Sequence, residues 1–331
     1  MYALVLGLLV TGGTPDAQPV ANTSDWQGLD AEIQNLAASI NDEDTLRVGA
    51  ILRTRFTNTS DLEAFDPTAG TQDLSGFDIQ NARVSVGGDV GRYSFFIQTK
   101  FDQDTNGDLW SSTSAPANSS EYLNRAWVDA PLFGESKLRV GYYYAPVLHS
   151  SMIYVDGLMM VNRSILGTEY AFGDAGAMWY GGVGPLHYYL SMQNGSDTTG
   201  SEYNFTGRGV YDFGKSVFGA NEGALGYATN GFDASLGIVY QNDGSRENGD
   251  FIGGDLAIVS GPLSLTGEVI SYNEQYDSTV TNLISGAPVA GTSPTVFTGS
   301  WLLGDTNYEL AARWENVDDA LKSNRWTLGL N

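Results

Sequence analysis

The chain has 331 residues, a formal net charge of −23 and no cysteine. The acidic balance argues against nucleic acid as a partner, which calls for a basic surface. The absence of thiols excludes a disulfide scaffold, a cysteine nucleophile and a cysteine-based zinc site.

Charged residues make up only 17%, while 41 glycines, 18 tyrosines, 14 phenylalanines and 7 tryptophans favour turns, pleated strands and membrane interfaces. No apolar run reaches the roughly 18 residues of a membrane-spanning helix. A membrane barrel needs none, because only one face of each strand meets lipid.

Taken in chain order, Ala3 to Val10 (ALVLGLLV) is a short apolar stretch followed by small and polar residues. It suits the apolar part of a signal peptide covering 1–17, although no basic segment precedes it. A buried strand or a vector-derived start is the other reading. Within 22–44, Leu29, Ile33, Leu36 and Ile40 recur at spacings of four, three and four, a narrow helical seam. Fewer than two heptads cannot hold a coiled coil alone, so this periplasmic helix would need a barrel or a trimer to support it. Alternatively it lies on the barrel or plugs its mouth.

From Thr45 the period changes to two. Leu46, Val48, Ala50, Leu52 and Phe56 share one face, and Arg47, Arg53 and Arg55 the other. Tyr93, Phe95, Ile97 and Phe101 oppose Ser94, Gln98, Lys100 and Asp102. The same alternation returns at 137–144, 186–193, 232–240 and 261–272, with Glu268 on the polar side. Short turns such as VGPL alternate with long polar connections, the layout of an outer-membrane barrel. The expectation for 45–331 is an all-β, transmembrane antiparallel β-barrel of about 16 strands, with 168–172 the least regular. A soluble sandwich also alternates, but with its apolar face inside. Aromatics near strand ends, mid-strand Arg and Lys, and the export-like start favour lipid outside.

Several segments resemble the phosphate-selective porin O and P family of bacterial outer membranes. They are Phe77 to Asp102, Leu123 to Met152 with its Arg-Val-Gly strand ending at proline, Ser300 to Asp318, and Arg325 to Asn331. The resemblance implies an exported outer-membrane porin, trimeric, in contact with lipid and lipopolysaccharide, passing small anionic solutes such as phosphate. In that family one or two strands usually follow the TLGLN-like segment, so a last strand is expected to be missing here.

The charges sort by segment. Acids crowd the long connections: Asp61, Glu63, Asp66 and Asp73, then Asp102, Asp104 and Asp108, later Asp243, Glu247 and Asp250. Bases occupy the polar strand phase: Arg47, Arg53, Arg55, Arg83, Lys100, Arg125, Arg139 and Arg208. Such a row reads as a pore-lining anion track, because rings of Arg or Lys select anions and the guanidinium fork suits phosphate. It reads equally as a braced wall, with those arginines paired to Asp78, Asp129, Asp255, Glu268 and Glu309.

Between His149 and Gly167 lies a connection rich in apolar residues (Met152, Ile153, Leu158, Met159, Met160). Its position resembles the loop that folds inward to narrow a porin, which would place Arg163 in the constriction. Contact with a neighbouring subunit is the other reading. Only His149 and His187 occur, and no metal-binding pair, nucleophile elbow or phosphate-binding glycine loop is present. No enzyme, cofactor or metal is expected. The remaining alternative is a structural or adhesive barrel whose transport is incidental.

Overall fold

The computed structural model describes residues 2–8, 45–63, 71–101, 123–171, 173–195, 203–217, 221–225, 231–244, 250–273, 292–304, 306–318 and 324–331. The helical seam expected over 22–44 lies outside these residues. The chain divides into two compact units, Met1–Val128 and Asp129–Asn331.

The first unit holds β1 (Tyr2–Leu8), β2 (Thr45–Glu63), β3 (Thr71–Val90) and β4 (Tyr93–Lys100), each antiparallel to the next. The apolar start therefore forms a strand, paired from Tyr2 opposite Asn58 to Leu8 opposite Leu52. β5 (Leu123–Pro131) crosses the border between the units. The second unit continues with β6 (Lys137–Tyr144), a helix α1 (His149–Met152), a 3₁₀ turn (Val155–Gly157) and a helix α2 (Ile165–Tyr170). Then come β7 (Gly173–Val183), β8 (Leu186–Gln193), β9 (Asn204–Phe213), β10 (Phe232–Asp243) and β11 (Asp250–Ser260). β12 (Leu263–Tyr272), β13 (Thr295–Leu302), β14 (Glu309–Asn316) and β15 (Asn324–Leu330) complete it. From β6 onward every strand pairs antiparallel with its chain neighbour.

Fifteen strands are seen among the described residues, where the alternation predicts about 16. The weakest expected strand, 168–172, overlaps α2 instead. Ser164 caps that helix by accepting a hydrogen bond from Gly167 N–H (2.9 Å), and Ile165, Leu166 and Tyr170 recur at helical spacing on its buried side. Tight hairpins at 91–92, 184–185 and 261–262 each begin with glycine at a φ of +57°, +59° and +56° respectively, the conformation two-residue turns demand.

Within each unit the strands are amphipathic in the sense opposite to a soluble protein. In the first, Leu46, Val48, Leu52, Val84 and Ile97 are exposed while Gln98 and Arg125 are buried. In the second, Trp326 is 70% and Leu328 80% exposed, whereas Glu309 and Glu315 are each 1% exposed. The apolar phase is exposed in both units, and the polar phase is covered at Gln98 and Arg125 in the first and along β9–β14 in the second. Among the described residues no helix is long and apolar enough to cross a membrane, which says nothing of strands.

Candidate functional site

The polar phase of β9–β14 is covered by the connection 145–171 between β6 and β7. Its apolar residues Val147, Leu148, Ile165, Leu166 and Tyr170 pack with Val239, Phe251, Ile270, Tyr272, Val296 and Val317. The last six are apolar residues set into the otherwise polar strand phase or just past its end, so the wall carries a seat shaped for this connection.

Around that seat, charged side chains of the wall satisfy the backbone of the connection. His149 N–H donates to Asp255 (3.2 Å), and Ser150 donates through its N–H (2.7 Å) and Oγ (2.7 Å) to Glu268. Ile165 N–H, at the start of α2, donates to Glu315 (2.7 Å), where a carboxylate also complements the helix dipole. In the opposite sense, Arg313 donates to Asn162 O (2.8 Å) and Arg208 to Val147 O. A buried backbone group without a partner would cost about 1–3 kcal/mol, so this lattice fixes the path of the connection. Burial pushes the His149 imidazole below its ordinary value, an effect that Arg208 reinforces and that Asp255 and Glu222 oppose.

The expected pore-lining bases fall into two groups. In the first unit, Arg47 is exposed and pairs with Asp89 (3.1 Å). Arg53 is half-buried opposite Asn81, and Arg55 stands opposite Asp78 in register. Arg83 and Lys100 face each other directly across β3 and β4. Arg125, buried, donates to the neutral amide of Gln98 (2.8 Å) and lies over the Phe96 ring (5.3 Å), which in turn stacks on Trp127.

In the second unit Arg139 and Arg208 pair with buried acids. Arg139 makes a two-pronged contact with Asp129 (2.8 Å each) beneath Tyr180, whose ring lies parallel to that of Tyr189. Arg208 reaches across β10 to Asp255 (2.6 and 2.9 Å), a span left open because Gly237 has no side chain to obstruct it. Asp255 and Glu268 oppose each other in register on β11 and β12. Arg163 does not stand apart from its own connection: it donates to Ser150 O (2.7 Å) and Ile153 O (2.5 Å), tying the two ends of α1 to the start of α2.

Two cations of the wall were not singled out in the sequence. Arg313 shares the polar phase of β14 with Glu309 and Glu315, so alternation alone could have found it. Arg325 of β15 pairs with Glu315 (2.7 Å). Glu222, in the connection between β9 and β10, carries no periodic signal at all.

No family model matches the chain, and no curated protein matches it in sequence. Among solved structures it is similar to an anion-selective porin from Comamonas acidovorans. The identity is 15% and the TM-score 0.53, over 87% of this chain and 83% of that one. It also aligns with OpdK of Pseudomonas aeruginosa, solved with vanillate, at 11% identity and a TM-score of 0.38, over 88% of this chain and 78% of that one. A triple mutant of the Rhodopseudomonas blastica porin gives 10% identity and 0.38, over 86% and 99%. The first likeness identifies the class of fold, the antiparallel strand ladder of a porin.

Proposed function

We propose that this protein is a porin of a bacterial outer membrane, exported through the periplasm, that lets small solutes diffuse passively through a water-filled lumen. The observation that carries this reading is the outward apolar phase and covered polar phase of the strands. A sheet that presents leucine, tryptophan and phenylalanine outward is suited to lipid, and an edge of unpaired backbone cannot be left there. Closure of the ladder into a barrel removes both edges. The connection 145–171 then lies inside the barrel and narrows it.

Anions, phosphate among them, are the solutes we assign to the channel. Arg83 and Lys100 stand opposite each other in register on β3 and β4, so two basic positions share one place on the polar phase, and rings of Arg or Lys favour anions. Arg53 and Arg125 lie on the same polar phase of the first unit. In the second unit Arg139 and Arg208 sit beside Asp129 and Asp255 and brace the wall. Trimeric assembly, contact with lipopolysaccharide and kinship with the O and P porins follow from the sequence resemblance and belong to the same proposal.

The test is the reversal potential of single channels in a potassium chloride gradient. Anion preference is expected for the natural protein, and Arg83→Ala with Lys100→Ala should move the reversal potential toward cations. A cation-preferring natural channel would sink the anion assignment. A channel that never conducts would leave only a structural or adhesive barrel.

A further inference from the structure

One end of the second unit carries short turns: 132–136, 184–185, 261–262 and 303–308. The connection between β9 and β10 (214–231) is at that same end, yet its described residues fold back over the polar phase. Val217 N–H donates to Ser235 Oγ (2.9 Å), and Val217 and Ala224 pack against Ala257 and Val259. Ala224 N–H donates to the buried Glu309 (2.7 Å).

From there, residues 221–225 meet the connection 145–171, which comes from the opposite end. Glu222 N–H donates to Gly157 O (2.8 Å), and its carboxylate accepts from Met159 N–H (3.0 Å). The same carboxylate lies 3.6 Å from Arg313 Nη2, with both side chains buried. Arg313 also holds Asn162 O (2.8 Å), so the wall, the long connection and the short-turn connection converge on one acid–base pair. Gly157 leaves no spare room in this seam: a Cβ there would stand 2.6 Å from Asn221 Oδ1 and 3.1 Å from Ile153 Cγ2.

We infer that the constriction is bipartite. Residues 221–225 form its second half, and Glu222 is the positioning residue that holds the two halves together. The inference rests on the channel reading above. Because the halves enter from opposite ends and are joined by a few buried polar contacts, the seam between Gly157 and Asn221 is where the lumen widens or narrows. Removing the Glu222 carboxylate strands a buried cation and a buried N–H at once, so it loosens the seam far more than an exposed ion pair would.

Single-channel recording of the full chain in planar bilayers tests this with three proteins. These are the natural chain, Glu222→Ala, and the double variant Gly157→Cys with Asn221→Cys, which introduces the chain's only two cysteines. Heat-modifiable migration on gels establishes that each has folded. Glu222→Ala should raise conductance about twofold or more, since flow through a narrow pore follows its width. The oxidised cysteine pair should hold one steady low level, and reductant should restore fluctuation to higher levels. Should Glu222→Ala fail to fold, the cysteine pair still reads the seam. Identical currents from all proteins in both redox states, or a pair that never oxidises, would overturn the inference while leaving the channel reading intact. Three folded but silent proteins would overturn the channel reading, and the inference with it.

Discussion

Arg208 and Asp255 show how much of this wall depends on single side chains. Both are buried, they contact each other at 2.6 Å, and Arg208 also caps Val147 O. Breaking such a pair by removing one partner costs about 3–5 kcal/mol, because the remaining charge is stranded out of water. Arg208→Ala should therefore lower the urea midpoint of unfolding sharply and free the connection 145–171 to proteolysis. Replacing both residues by apolar ones of similar volume should recover part of the loss. An unchanged midpoint for Arg208→Ala would mean that the wall is not braced there. The partition of the basic residues was only half legible in the sequence. Alternation puts all eight on the polar phase, and Asp129 and Asp255 are among the acids that a braced wall would pair with them. Which base meets which acid depends on register between strands, and register is set by hairpins and bulges such as the one at Arg53/Thr54 that one-dimensional patterning does not fix.

At the scale of elements, the strands followed their period closely and the connections did not. The apolar phase of 232–240 is the exposed phase of β10, with Leu236, Ile238 and Tyr240 outward. Ile238, near the middle of that strand, should tolerate Leu or Val, whereas Ile238→Arg should cost about 2–4 kcal/mol for an arginine facing the bilayer midplane. Equilibrium refolding into vesicles measures this, and a cost near zero would place that face in water. The apolar seat of Val239, Phe251, Ile270, Tyr272 and Val296 was hidden for a physical reason. Those residues occupy the phase that the period assigns to the lumen, and only the connection that covers them makes burial favourable. The connection 214–231 gave still less sign of itself. Its described contacts are mostly single hydrogen bonds of backbone groups, to Ser235, Gly157 and Glu309 among others, and such contacts leave no spacing to read.

For the whole molecule, the net charge of −23 and the basic strand phase cease to conflict once charge is located. The acids of the wall hold backbone groups and neutralise arginines in the second unit, and Arg53, Arg83, Lys100 and Arg125 belong to the polar phase of the first. The central claim is that the apolar strand phase meets lipid and the polar phase meets water inside a closed barrel. The absence of native cysteine allows a direct measurement: single cysteines at Phe95, Phe96, Ile97, Gln98, Thr99 and Lys100 along β4, in protein folded into vesicles. A membrane-impermeant thiol reagent should label positions 96, 98 and 100, and nitroxide lipids should quench a fluorophore attached at 95 and 97. Labelling from water that shows no period of two, or quenching by lipid at 96 and 98, would contradict the account.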